Sequence, residues 1–231
     1  MCGPKDWLCL RAIMEYTLLS EKDWDEVEPL IKNCFLAREP TCLALHAKPE
    51  ALLPLFSIVG DMCMNSGCSY GARDTVNGSK LVGVMLNKIV LLENKDADKN
   101  FKYDGTPQEM FKIELIKEVY KDIDLFDDNE GVESIFEFVA LTVDPEYKGK
   151  GISRKLVELS EEKGIELGCQ LGKVEASNII TQHIWSTMDY KTFLSFDFQE
   201  YNKKKGKEVF DVAAAAPTTG WQCMSKRFDG K

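Results

Sequence analysis

The stretch from Ile135 to Ser153 constrains the fold more than any other part of the chain, because it reads as strand, glycine turn and helix in immediate succession. Ile135 to Val143 is apolar except for Glu137 and Thr142, the pattern of a strand buried on both faces at the centre of a sheet. Pro145 restricts Asp144 to extended backbone and closes the strand. Gly149 and Gly151 follow, and from about Gly151 to Leu167 the apolar residues take helical spacing. A turn without side chains lets the backbone approach an anion, and the unpaired N–H groups at a helix start stabilise negative charge. Lys148 and Lys150 add positive charge beside it. The stretch suits a phosphate cradle, although two glycines in a turn also serve plain connections. Arg154 stands where a dinucleotide fingerprint needs a third small residue, and no Gly-Lys-Ser/Thr closes a P-loop, so both of those cradles are excluded.

The rest of the chain supplies elements to pack around that centre. Tyr16 to Leu19 predicts a short strand, and Ser20-Glu21-Lys22-Asp23 resembles a capping sequence before the helical face of Trp24, Val27, Leu30, Ile31, Cys34 and Phe35. Pro29 inside that face predicts a kink, or marks where the regular helix begins. A second helix is predicted from Pro49 to Met64, and strands over Ser69 to Asp74 and Lys80 to Ile89 flank Asn77-Gly78, a dipeptide suited to a tight hairpin turn. Leu92 to Thr106 is polar, Pro107 to Leu125 regains helical spacing, and 91–131 reads as an insertion plus helix over the core. Beyond the central helix the pattern gives a strand at Leu171 to Ala176, a helix at Ile179 to Met188, and strands near Lys191 to Phe198 and Trp221 to Phe228. Residues 202–220, lysine-rich and then rich in Ala, Pro and Thr, read as a mobile connection. The order predicts one mixed α/β (α+β) domain over 1–231, a mixed central sheet flanked by helices.

Composition narrows the function classes. A net charge of −9 disfavours nucleic acid as a partner, since that binding draws on Lys and Arg releasing counterions, and it suits cationic partners. Cys2, Cys9, Cys34, Cys42, Cys63, Cys68, Cys169 and Cys223 form no C-x-x-C pair, and only His46 and His183 stand by to complete a zinc site, so reduced, mostly buried thiols and no metal are expected. Asp6 and Arg11 spoil Trp7 to Met14 as a signal-peptide core, no run is long enough to span a membrane, and Cys2 removes the myristoylation pattern. The expectation is a cytoplasmic protein with no membrane partner. Oligomeric state is open.

Lys148-Gly149-Lys150-Gly151-Ile152-Ser153 is similar to the acetyl-CoA motif of the GNAT superfamily, Q/R-x-x-G-x-G/A, with Lys148 in the basic position, Gly151 in the first small position and Ser153 in the last. Lys148 keeps the charge and Ser153 is still small, so both departures are mild. The element order from Tyr16 to Phe228 resembles the GNAT acyl-CoA N-acyltransferase fold as well. Phe35-Leu36-Ala37-Arg38-Glu39-Pro40 resembles the aromatic-rich Glu-Pro segment of the insect-type arylalkylamine N-acetyltransferases, in which Glu39 matches the proposed general base. Ser177 and Thr181 fall where that family places two hydroxyls four residues apart, once Met188-Asp189-Tyr190 is aligned on its Leu-Gly-Phe. Trp185 stands where many GNAT enzymes carry a tyrosine general acid, and indole has no proton to give at useful pH.

The resemblance implies an acetyl-CoA cosubstrate lying along Leu141, Thr142 and Val143, with its diphosphate at Lys148 to Ser153. Glu39 is implied as base, through water, toward an amine that is protonated at neutral pH, and Ser177 or Thr181 as the group that stabilises the departing thiolate. Ser177 equally suits a helix N-cap, and Glu137, a charge within the central strand, is the reserve base. Trp24, Phe35, Tyr70 and Trp185 are pocket or core residues, and His46 and His183 surface or packed ones. The acceptor implied is a small primary amine of the dopamine, tyramine, tryptamine or serotonin type. Polyamines, agmatine or a protein amine are the alternatives, and a non-catalytic acetyl-CoA-binding protein is the reading from another class.

Overall fold

The computed structural model describes residues 13–228 and residue 230, so Cys2, Cys9 and all of the Trp7 to Met14 stretch but its last two residues lie outside the described part. Seven strands form one sheet: β1 (Met14–Leu18), β2 (Tyr70–Asp74), β3 (Lys80–Leu91), β4 (Ser134–Val143), β5 (Leu171–Ala176), β6 (Lys191–Asp197) and β7 (Gly220–Arg227). Their order across the sheet is β1-β2-β3-β4-β5-β7-β6. β4 and β5 are parallel and every other neighbouring pair is antiparallel. The apolar strand predicted to be central is therefore the fourth of the seven.

Helices cover both faces because β4 offers apolar side chains to both. On one face lie α6 (Ile152–Glu166) and α7 (Ile179–Ser186), packed on Phe136, Phe138, Leu156, Val157 and Trp185. Gly164 lets α6 come close, since a Cβ there would meet the Phe136 ring at 2.7 Å. On the other face α1 (Trp24–Leu30), α2 (Pro40–Ala44) and α3 (Pro49–Asn65) pack through Val27, Leu30, Cys42 and Leu52 against Val84, Leu86 and Ala140. A further helix, α5 (Pro107–Tyr120), joins β7 and α8 (Phe198–Lys205) around Leu115, Phe198, Phe210 and Trp221. It is pinned to α3 by buried Glu109, whose carboxylate accepts from Leu55 N at 3.0 Å and also closes a capping box with Thr106.

Several expectations are corrected. The first helix does not merely kink: after Pro29 it widens into a π-helical turn over Ile31–Leu36, with Ala37 N donating to Lys32 O. The β2–β3 hairpin is closed by residues 75–79, a 3-10 turn followed by positive φ at Gly78 and Ser79, rather than by a two-residue turn. The helix read from Pro107 to Leu125 stops at Tyr120. Residues 202–220, read as a mobile connection, begin as the end of α8 and bury Phe210, Ala215 and Thr218. Short elements at Pro40–Ala44, Ala97–Asn100 (α4) and Phe198–Lys205 had no periodic signal. Among the described residues no helix is long and apolar enough to cross a membrane.

Candidate active site

The site arises where β4 leaves β5. Their parallel ladder runs from Ile135 opposite Leu171 to Phe138 opposite Val174 and extends no further. On its other edge β4 pairs Phe138 with Asn87 but Ala140 with Leu86, so Val139 is an extra residue, a bulge that bends the strand. Beyond it the β5-facing edge of Val139–Val143 has no strand partner, and a fork opens in the middle of the sheet.

A cleft of about 530 Å³ runs along that fork. Leu141, Thr142, Val143, Lys148, Gly149, Lys150, Gly151, Ile152 and Ser153 all line it, so the structure brings together every residue predicted for the coenzyme. Gly149 and Gly151 have φ of 78° and 75°, conformations that favour glycine, and a Cβ at either would project into open space. Gly151 is the N-cap of α6 with no side chain capping it, and Lys155 is the first residue whose N–H returns to a helical carbonyl, that of Gly151. The preceding first-turn N–H groups carry the helix's positive end toward the cleft. Lys148 and Lys150 are exposed at its mouth, the latter 4.3 Å above the Tyr147 ring, which is itself fixed by its hydroxyl donating to Asp74 at 2.8 Å. Bare amides, open glycines and two ammonium groups fit a diphosphate.

A second cavity of about 630 Å³ lies on the other side of the fork, under α3 and α5, with Phe35, Leu55, Phe56 and Val59 in its wall. It shares six residues with the cleft: Phe35, Glu39, Phe138, Val139, Glu175 and Ser177. Glu39 and Ser177 thus stand at the junction. Glu39 is buried, 6% exposed, and caps α2, its Oε2 accepting from Cys42 N at 2.7 Å with Pro40 at the first helical position. Burial pushes its pKa up, but the Lys112 ammonium and hydrogen bonds from Cys42 and Thr41 outweigh that and hold it below the usual value. It is a carboxylate at neutral pH.

The helix after β5 is capped by Asn178, which accepts from Ile180 N at 2.8 Å, and not by Ser177. The Ser177 hydroxyl has no hydrogen-bond partner among the described residues and is free to face the junction. Thr181 also lines the cleft, but its hydroxyl donates to Asn178 O at 2.8 Å. Trp185 lines the cleft from the core, 1% exposed, with ring centroids 4.5 Å from Phe138 and 4.7 Å from Tyr190. His46 pairs with Asp211 at 3.1 Å on the surface.

Glu137 belongs to the second cavity only, and it is bound between Lys173 at 2.6 Å and Lys88 at 3.1 Å. Burial raises its pKa, and the two ammonium groups more than reverse that, leaving about 2. Held between two ammonium groups, it is a weak proton acceptor. With Glu175, whose Oε1 is 3.5 Å from Lys173, it completes a row of alternating charge across β3, β4 and β5. The sequence signal for that row was available: Lys173 and Glu175 alternate with apolar neighbours on β5. Lys112 on α5 gave no such sign.

Residues 122–190 match the acetyltransferase (GNAT) family. The fold is similar to that of arylalkylamine N-acetyltransferase 2 from Aedes aegypti, with a TM-score of 0.80 and 26% identity over 93% of this chain and 98% of that one. It is also similar to the mosquito arylalkylamine N-acetyltransferase like 5b, with a TM-score of 0.79 and 15% identity over 93% and 100% of the two chains. A Drosophila melanogaster polyamine N-acetyltransferase that forms N-acetylagmatine gives a TM-score of 0.76 and 17% identity over 93% and 100%.

Proposed function

We propose that this chain, whose residues 122–190 match the acetyltransferase (GNAT) family, uses acetyl-CoA to acetylate a small primary amine of the arylalkylamine class. The observation that carries the proposal is the junction: one buried carboxylate, Glu39, and one free hydroxyl, Ser177, where an apolar cavity with aromatic walls meets the coenzyme cleft. When bound, acetyl-CoA supplies an acetyl group activated as a thioester.

Lys148 to Ser153 would hold the diphosphate, and the unpaired edge of Val139–Val143 would align the rest of the coenzyme. An arylalkylamine arrives protonated, so a proton must leave its nitrogen before it attacks. Glu39 draws the ammonium to the junction by charge, and a water between them would carry the proton away. The Phe35 and Phe56 rings, 5.4 Å apart, offer faces for the aromatic body. Ser177 would donate to the sulfur as the thiolate departs.

A second reading, a polyamine or agmatine as acceptor, draws on three further carboxylates in the same wall, Asp124, Glu137 and Glu175. The test is free-thiol release from acetyl-CoA with phenethylamine, tryptamine, agmatine, putrescine and a basic peptide. Release with the aromatic amines at the highest kcat/KM supports the proposal, and silence with all five amines overturns it. A cytoplasmic location is likewise our proposal, tested by tagging the protein and imaging it in cells.

A further inference from the structure

One carboxylate of the acceptor cavity, Glu39, has no ion pair among the described residues. Four carboxylates line it against six lysines. Asp124 is paired with Lys95 at 2.9 Å, and Glu137 is enclosed by Lys173 and Lys88. Glu175 lies 3.5 Å from Lys173. These acids are matched by cations the protein already supplies, which leaves Glu39 as the anchor for an incoming ammonium.

On the positive side two lysines contact no carboxylate. Lys117 donates to a backbone carbonyl, Phe101 O, at 2.9 Å. Lys112 has no hydrogen-bond or ion-pair partner among the described residues, and its Nζ stands 5.2 Å from the centre of the Phe56 ring, inside the cavity wall. Burial disfavours its charge, but nearby Cys42, Glu39 and Glu175 favour it more strongly, so Lys112 stays an ammonium. Any guest cation shares this cavity with the Lys112 charge, and a second cationic group on the same guest adds repulsion with no further unpaired carboxylate to meet it, since Asp124, Glu137 and Glu175 already contact lysines.

We propose that Lys112 is a specificity residue of the acceptor site, whose ammonium restricts acceptors to monocationic amines with a neutral or anionic far end and excludes diamines and guanidinoalkylamines. The inference rests on the acetyltransferase reading for its meaning, and the geometry above carries it independently. Desolvated like charges oppose one another strongly enough that the wild type should favour phenethylamine over agmatine by at least about tenfold in kcat/KM.

The experiment measures kcat and KM for phenethylamine and agmatine with wild type, Lys112→Gln and Lys112→Arg, together with calorimetric Kd values for both amines on CoA-saturated protein and the Tm of each variant. Lys112→Gln should lower the phenethylamine-to-agmatine preference in kcat/KM by about tenfold, mostly through a lower agmatine KM. Lys112→Arg, which keeps the charge and serves as the second variant should the glutamine fail to fold, should retain the wild-type preference. An unchanged preference ratio in Lys112→Gln, or wild-type protein that binds agmatine as tightly as phenethylamine, would overturn the proposal. Absence of thiol release with any amine would defeat the proposed function instead, and the Kd ratio would still decide the role of Lys112.

Discussion

Replacing Glu137 by glutamine separates the two roles that a carboxylate in the central strand can have. Its oxygens contact two ammonium groups in a site where Glu137, Lys173 and Lys88 are 12%, 15% and 18% exposed. Removing one member of a buried ion pair costs about 3–5 kcal/mol, because the charge left behind stays out of water. Glu175 remains 3.5 Å from Lys173 and shields part of that charge, which places the loss at the lower end, about 3 kcal/mol. For a chain of this size each kcal/mol moves Tm by about 2–4 °C, so Glu137→Gln should melt about 6–12 °C below wild type at pH 7. The pH dependence follows from the direction of the shift. Folding lowers the Glu137 pKa from 4.5 to about 2, so its contribution is complete above 4.5 and is lost as pH falls through 2. Differential scanning calorimetry between pH 7 and 2 should therefore show a steeper acid loss in wild type than in the variant. Measured well below either Tm, kcat should stay within about threefold of wild type, since so weak a base transfers no proton from the amine. An unaltered Tm with kcat reduced about a hundredfold would refute the reasoning and make Glu137 the base.

Glu39→Gln should lower kcat by about 10²–10⁴ near neutrality, with the deficit shrinking as pH approaches the amine's own pKa, where free base is already present. Because Glu39 also caps α2, the same variant should lose about 1 kcal/mol of stability, read as a Tm shift of a few degrees. A pH-independent deficit would speak against the base assignment. Ser177→Ala should lower kcat by about tenfold or more while Thr181→Val changes it by less than about threefold, because the Thr181 proton is already committed to Asn178 O. Equal effects would remove the distinction drawn between the two hydroxyls.

What could be read from sequence was whatever shows as periodicity or as a local turn rule. β4 was legible because a long apolar run ends before Pro145, and β5 because Lys173 and Glu175 alternate with apolar residues. The coenzyme cleft was legible because a glycine turn binds with backbone, so the residues that matter are contiguous. The acceptor cavity was not. Its walls come from α3, α5 and four strands, β3, β4, β5 and β7, and a residue such as Lys112 acquires meaning only when α5 brings it beside Phe56. The setting of Glu137 was hidden for the related reason that its two lysines, on β3 and β5, are adjacent only through strand register. Ser177 and Asn178 are both good N-caps, and only the backbone decided between them.

The central claim is that the amides opening α6 grip the coenzyme's diphosphate, and titration calorimetry of CoA into wild type and Gly151→Ala tests it most directly. With φ of 75° at Gly151 and no atom within 4 Å of an added Cβ, the alanine should lower Tm only by the backbone strain of about 1–2 kcal/mol, or about 2–8 °C. The account predicts one CoA bound per wild-type chain and affinity weakened by about tenfold or more in the folded variant. No heat of binding in wild type, or equal affinity in both proteins, would contradict it.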